Sequence, residues 1–232
     1  VQAELRRLGA KNLYVLGGEQ SVSPQVARSL QELTGVTPKR LAGATRFDTS
    51  RAIADRWVKI YGAPKEIYVA NGNGQYGSID AAVGSSLTAG PLLTTSNSDD
   101  IGKVSAWISN NSASASPVAI GGTTSLSPEL LGRISSKDWQ RLGGKDRYET
   151  SVAIARRCVK TGTSTDTLYA ATGKTLPDSA VAGVLGAGPV ILVGNSLSAS
   201  AASFIDEIQP SNLWIIGGPG SISDGLARSL MR

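Results

Sequence analysis

Arginine is the residue type best placed to do chemistry in this chain, because it recurs at fixed places. Arg40 and Arg46 in RLAGATR return as Arg141 and Arg147 in RLGGKDR, 101 residues on. Arg46 and Arg147 each stand three residues after a glycine and just ahead of a helix start. A guanidinium fork there can take a carboxylate or a phosphate on two bonds. One acidic residue answers in each copy, Asp80 and Asp178. Two uses fit these positions. The arginines form a repeated cationic notch for a polyanion, or each pairs with the carboxylate of its own copy and locks its loop, since a buried carboxylate without a partner is costly. Residues repeated once per copy also come together if the copies pack about a pseudo-symmetry axis.

Other chemistry finds less support. The chain of 232 residues has no histidine, so the usual neutral-pH proton shuttle and the commonest metal ligand are absent. Its single cysteine, Cys158, excludes an internal disulfide and a cysteine-rich zinc site, and reads as a helix filler. No G-x-S-x-G elbow occurs. GNGQYG, Gly72 to Gly77, fits a dinucleotide loop with Asp99 at the ribose-binding distance, but the second copy reads GKTLPD and keeps only Gly173. Lys174 and Thr175 lack phosphate-loop spacing. Asp99 with Asp100, and Asp146 with Glu149, read as solvated helix-start charges rather than a glycosidase pair. No cofactor is expected.

Composition agrees with a binding role. Hydrophobic residues make up 41% and charged residues 18%, as in a globular protein, and no apolar run nears the roughly 20 residues of a membrane span. Residues 1 to 30 lack signal-peptide order. The net charge is +5, and 14 of the 23 basic residues are arginine, so an acidic partner fits. Nucleic acid does not, because basic runs and aromatic interleaving are missing.

The elements that must position these residues repeat as well. RLAGATRFDTSRAIA at Arg40 to Ala54 matches RLGGKDRYETSVAIA at Arg141 to Ala155, with eleven of fifteen positions identical or conservatively exchanged. EIYVANG and TLYAATG, AGP at 89–91 and 187–189, and IGGTTSLS and IGGPGSIS follow in order. A third copy of the last motif, LGGEQSVS, starts at Leu16. The reading is two modules, 40–140 and 141–232, after residues 1–39 as the C-terminal part of a first. The chain thus starts mid-module, so either upstream sequence exists or the leading fragment packs on a neighbouring module or chain. Within a module a helix capped by Thr49 or Thr150 precedes a β-rich run (67–70; 168–171). A small-residue helix opened by Asp80 or Asp178 precedes a buried strand (91–95; 189–193). The Gly-Gly turns at Gly17, Gly121 and Gly217 lead to helices capped by Ser23, Ser127 and Ser223, and tight turning plus capping explains them without an anion. Strands alternating with helices imply Rossmann-like α/β modules, each a mainly parallel sheet flanked by helices.

RLAGATRFDTS and RLGGKDRYETS, the acidic helix leading to AGPLLTT and AGPVILV, and the closing IGG-x-x-S-x-S resemble the cell wall binding repeat 2 family of Gram-positive surface proteins. The resemblance spans nearly the whole chain. It implies Rossmann-like or Toprim-like modules in tandem sets of three, packed into a pseudo-threefold body, that tether an attached effector non-covalently to an anionic cell wall polymer or peptidoglycan-associated glycan. It implies a secreted, surface-located, non-catalytic region, with Arg46 and Arg147 on the family's R-x-x-G-x-x-R-[FY] motif and Asp80 and Asp178 on its acidic position. With two whole modules and a part, a homo-oligomer could complete the three-module body. The alternatives from other classes are a structural scaffold of a surface protein and a nucleotide-binding enzyme using Gly72 to Gly77.

Overall fold

The computed structural model describes residues 2–96, 100–112 and 114–230, the side chains of 75–78 excepted. In chain order the elements are α1 (Gln2–Leu8), β1 (Tyr14–Leu16), α2 (Pro24–Thr34), β2 (Lys39–Leu41), α3 (Arg46–Tyr61), β3 (Glu66–Asn71), α4 (Gly74–Gly84), β4 (Leu92–Thr95), α5 (Ile101–Asn111) and β5 (Ser116–Ile120). Then come α6 (Pro128–Ile134), β6 (Gln140–Leu142), α7 (Arg147–Lys160), β7 (Thr167–Thr172), α8 (Leu176–Gly183), β8 (Val190–Val193), α9 (Ala199–Ile208), β9 (Asn212–Ile216) and α10 (Asp224–Leu230). Every strand pairing is parallel, in sheets ordered β1-β2, β4-β3-β5-β6 and β8-β7-β9.

The inner residues of β3 and β7, 67–70 and 168–171, are apolar without alternation because both faces of their sheets are covered. Ile67 and Val69 face a core with Ala54 of α3, Ile101, Val104 and Trp107 of α5, and Leu130 and Ile134 of α6. Leu168 and Ala170 face its counterpart under Val152 of α7, Phe204 of α9 and Leu226 of α10. The alternate residues, Tyr68 and Ala70 of β3 and Tyr169 and Ala171 of β7, meet in a third core that joins the repeats. α7 spans the seam. Its Val152 and Ala155 turn to its own sheet, while Ile154 and Cys158 pack with α4, β3 and β5 of the preceding repeat.

A charge pair is buried at that seam. Glu66, on β3, ion-pairs with Arg157 of α7 and accepts a hydrogen bond from the Tyr68 hydroxyl. Arg157 Nε also donates to Glu66 at 3.2 Å. Burial holds the Tyr68 phenol above its ordinary pKa, keeping it a donor. Nearby, Ser86 Oγ and Cys158 Sγ lie 3.4 Å apart, so the cysteine is interior filling, its thiol pushed up by burial.

The helix caps follow the sequence pattern only in part. Ser23, Ser127 and Ser223 do cap their helices, each hydroxyl accepting from the backbone N–H three residues on. Thr49 and Thr150 do not: α3 and α7 start earlier, capped by Thr45 and Asp146. The two threonine hydroxyls instead accept from the N–H of Gly43 and Gly144, both at 3.1 Å, tying the arginine turn to the helix it precedes. Nor do Asp80 and Asp178 open their helices, since Asn73 and Thr175 hold the caps. β2 and β6, which carry Arg40 and Arg141, are hydrogen-bonded into the sheet of the preceding repeat.

The third repeat keeps an uncovered face. Val83 and Leu87 are 0% and 6% exposed under α7, whereas the corresponding Val181 and Leu185 are 56% and 44% exposed, beside Val184 and Trp214. No helix among the described residues is long and apolar enough to cross a membrane.

Removing one partner of a buried ion pair strands the other charge, at about 3–5 kcal/mol. Arg157→Leu is therefore expected to lower the unfolding free energy by about 3 kcal/mol in urea titrations. Adding Glu66→Gln should recover much of that loss, which a solvated pair would not show.

Candidate binding cleft between the repeats

In open parallel sheets the loops beyond the C-terminal strand ends collect ligands. At those ends of β3, β5 and β6 lies a cleft of about 560 Å³. Asn71 and Asn73 follow β3 into it, Asp80 enters from α4, Gly122 to Ser125 from the turn after β5, and Gly144 to Arg147 with Thr150 from the turn after β6. Its walls therefore come from both repeats.

The arginines fix this geometry. Arg141 donates from Nη1 to Gly121 O and from Nη2 to Leu126 O, both at 2.7 Å, and so clamps the glycine turn against β6. Gly121 N adds a bond to Leu142 O at 2.8 Å. Arg40 repeats the clamp on Gly17 O and Val22 O at 2.7 and 2.9 Å. Arg147 donates to Gly173 O at 2.7 Å, and Arg46 to Gly72 O at 3.3 Å. All four bond main-chain carbonyls, a use the sequence reading did not weigh.

Asp80 sits beneath the Gly121 turn, where a Cβ would stand 3.1 Å from its Oδ2. Asp178 sits likewise beneath Gly217, at 2.7 Å. With φ of +108° and +121°, both positions call for glycine. Burial pushes the Asp80 carboxyl up to about 6, against the opposing pull of Arg147. The cation felt by Asp80 thus belongs to the following repeat, not to its own as the spacing suggested. Asp80, Arg141 and Arg147 converge on one cleft, while Arg40 clamps the corresponding turn after β1, Arg46 bonds the end of β3, and Asp178 lies beneath the turn of the third repeat.

The glycine at the end of β3 or β7 has a packing role. A Cβ on Gly72 would lie 2.8 Å from the Phe47 ring, and on Gly173 2.6 Å from Tyr148, so the aromatic after each arginine explains why glycine is there. That accounts for Gly72 without a nucleotide. Asp99 lies outside the described residues. Asp100 is not solvated as read from the sequence but 6% exposed, 3.3 Å from Arg51. Asp146 caps α7 and Glu149 pairs with Lys145 at 2.8 Å, so these carboxylates are engaged rather than poised. Lys174 donates to Asn195 at 2.5 Å. Among the described residues no group of three or more His, Cys, Asp or Glu could hold a metal ion.

Sequence reasoning missed Asn71, Ser125 and Thr150 as cleft residues. Asn71 Nδ2 donates to Ser125 O at 2.9 Å and its Oδ1 accepts from Asn73 N at 2.8 Å, joining two walls. A signal existed for Ser125: the first serine of G-G-x-x-S-x-S recurs as Ser21 and Ser221, although only the second is needed as a cap.

Two tests follow from this geometry. Arg141→Ala removes two charge-assisted bonds from part-buried carbonyls, about 2–3 kcal/mol, and should lower Tm by roughly 4–10 °C in calorimetry. Arg141→Lys should recover only part, because an ammonium lacks the fork. Asp80 has its folded pKa raised above the unfolded value, so its ionisation penalises folding fully above about pH 6 and the penalty fades towards pH 4. Asp80→Asn should flatten the part of the stability profile between pH 4 and 7 in which wild type gains on acidification. An unchanged slope would place the titration elsewhere.

The family model described as Cell wall binding domain 2 (CWB2) matches residues 40–131 and 141–227. The N-acetylmuramoyl-L-alanine amidase LytC of Bacillus subtilis (strain 168) is 28% identical over 233 residues, covering 99% of this chain and 45% of LytC. The chain thus spans less than half the length of that relative. Among solved structures, Cwp6 from Clostridium difficile superposes with a TM-score of 0.82 at 25% identity, over 99% of this chain and 37% of Cwp6. Cwp8 from Clostridium difficile does so at 0.78 and 24%, over 99% and 40%. With its family model matched twice along the chain, once per repeat, this protein belongs to the cell wall binding domain 2 family.

Proposed function

We propose that this chain is a non-catalytic anchor that holds a larger protein to the cell wall through an anionic wall polymer, gripped at the cleft between the repeats. Family membership makes it a secreted, wall-associated chain. The observation that carries the rest is the cleft itself, lined by hydroxyls, amides and charged groups and framed by the arginine turn of one repeat and the glycine turn of another. A lining of hydroxyls, amides and paired charges suits many-point hydrogen bonding to a glycan. The net charge of +5 favours an acidic polymer, and weak contacts on one body raise the local concentration of the next polymer segment. The attached effector lies outside this chain.

A second reading, a structural scaffold, is favoured by the arginines, which bond main-chain carbonyls as braces would.

Pull-down on isolated walls separates the two. The anchor reading expects retention that falls with added salt and is lost on walls stripped of their anionic polymer. Undiminished retention on stripped walls would refute it. If Arg46→Ala and Arg147→Ala lower Tm while the folded fraction still binds, those two arginines act as braces.

A further inference from the structure

The rim and the floor of the cleft ask for different ligand groups. At the rim the charges balance locally: Lys145 pairs with Glu149, Asp146 caps α7, and the Arg147 charge acts on Asp80. The floor holds two polar atoms without any partner, Asp80 Oδ1 and Ser125 Oγ, both shut off from solvent. They are two of four such buried side-chain atoms among the described residues, and both belong to residues lining this one cleft. A buried polar atom without a partner is costly and uncommon in folded proteins. Asn71 spends its bonds elsewhere, donating to Ser125 O and accepting from Asn73 N. Both residues line the cleft, so their side chains form part of the surface a ligand meets there.

An ionised carboxylate only accepts, and a serine hydroxyl both donates and accepts. An anion brought against Asp80 and Asp146 meets like charge, whereas a hydroxyl donates to Asp80 and can donate to or accept from Ser125. We propose that Asp80 and Ser125 form a subsite for the hydroxyls of a neutral sugar unit in the wall polymer, so that the cleft reads sugar while overall charge supplies attraction. This rests on the cleft being the wall-binding site.

The test uses the whole chain and isolated walls of the producing bacterium in three forms: native, N-acetylated only, and fully O-acetylated. O-acetylation caps hydroxyls and leaves phosphodiester charge in place. Wild type is expected to bind native and N-acetylated walls alike and O-acetylated walls at least tenfold more weakly. Asp80→Asn and Ser125→Ala should lose a similar factor on native walls and show little further loss on O-acetylated ones, with unfolding curves confirming that both variants fold. Equal binding of wild type to native and O-acetylated walls, or variants as sensitive to O-acetylation as wild type, would overturn the sugar subsite and leave the anchor standing. Loss on N-acetylated walls would assign the subsite to an amine instead. Failure of wild type to bind native walls would remove the anchor reading itself.

Discussion

The packing of α7 across the repeat boundary is the interaction on which the rest of this structure depends. Ile154 and Cys158 bury themselves against the α4, β3 and β5 side of the preceding repeat, and Arg157 neutralises Glu66 inside the same seam. Apolar burial supplies the driving force, at about 25 cal/mol per Å². The buried pair adds selectivity of register more than net stability, because each charge must find the other after losing its water. With α7 seated, the turn just before it, Gly144 to Arg147, comes to lie against the turn after β5. The cleft is a by-product of that seating.

The repeated arginines acquire a double role from this arrangement. Arg141 clamps the glycine turn from the strand side, and Arg147 reaches Gly173 O while its charge acts on Asp80 across the seam. Holding a turn rigid and shaping a ligand site are the same act when the turn is the wall of the site. On the proposed function, the net charge of +5 would supply long-range attraction, which salt screens, and the cleft short-range hydrogen bonding, which salt screens far less.

Much of the architecture was legible in the residues because a hundred-residue period exposes what each copy holds in common. The apolar runs of β3 and β7, the parallel pairing and the serine caps all follow from short-range pattern. The helix starts at Thr45 and Asp146 were missed because Thr49 and Thr150 are equally good capping residues, and only the folded turn decides which N–H each hydroxyl meets. The passage of β6 into the preceding sheet was illegible for a different reason. A repeat fixes a period and not where along it the chain crosses between sheets. Glu66 left a faint trace, a charge inside a buried strand where the matching residue is Thr167, but its partner lies 91 positions away. Spacing left the neighbour of Asp80 open for the same cause, since a repeat does not decide between a partner in its own copy and Arg147 of the next.

On the proposed function the wall polymer is received at the boundary between the repeats. Titrating solubilised wall polymer into isotope-labelled chain and following amide chemical shifts tests it most directly. The account predicts shifts concentrated at Asn71, Asn73, Gly121 to Ser125 and Gly144 to Arg147. Shifts spread over exposed lysines and arginines away from that boundary, with these amides unmoved, would contradict it.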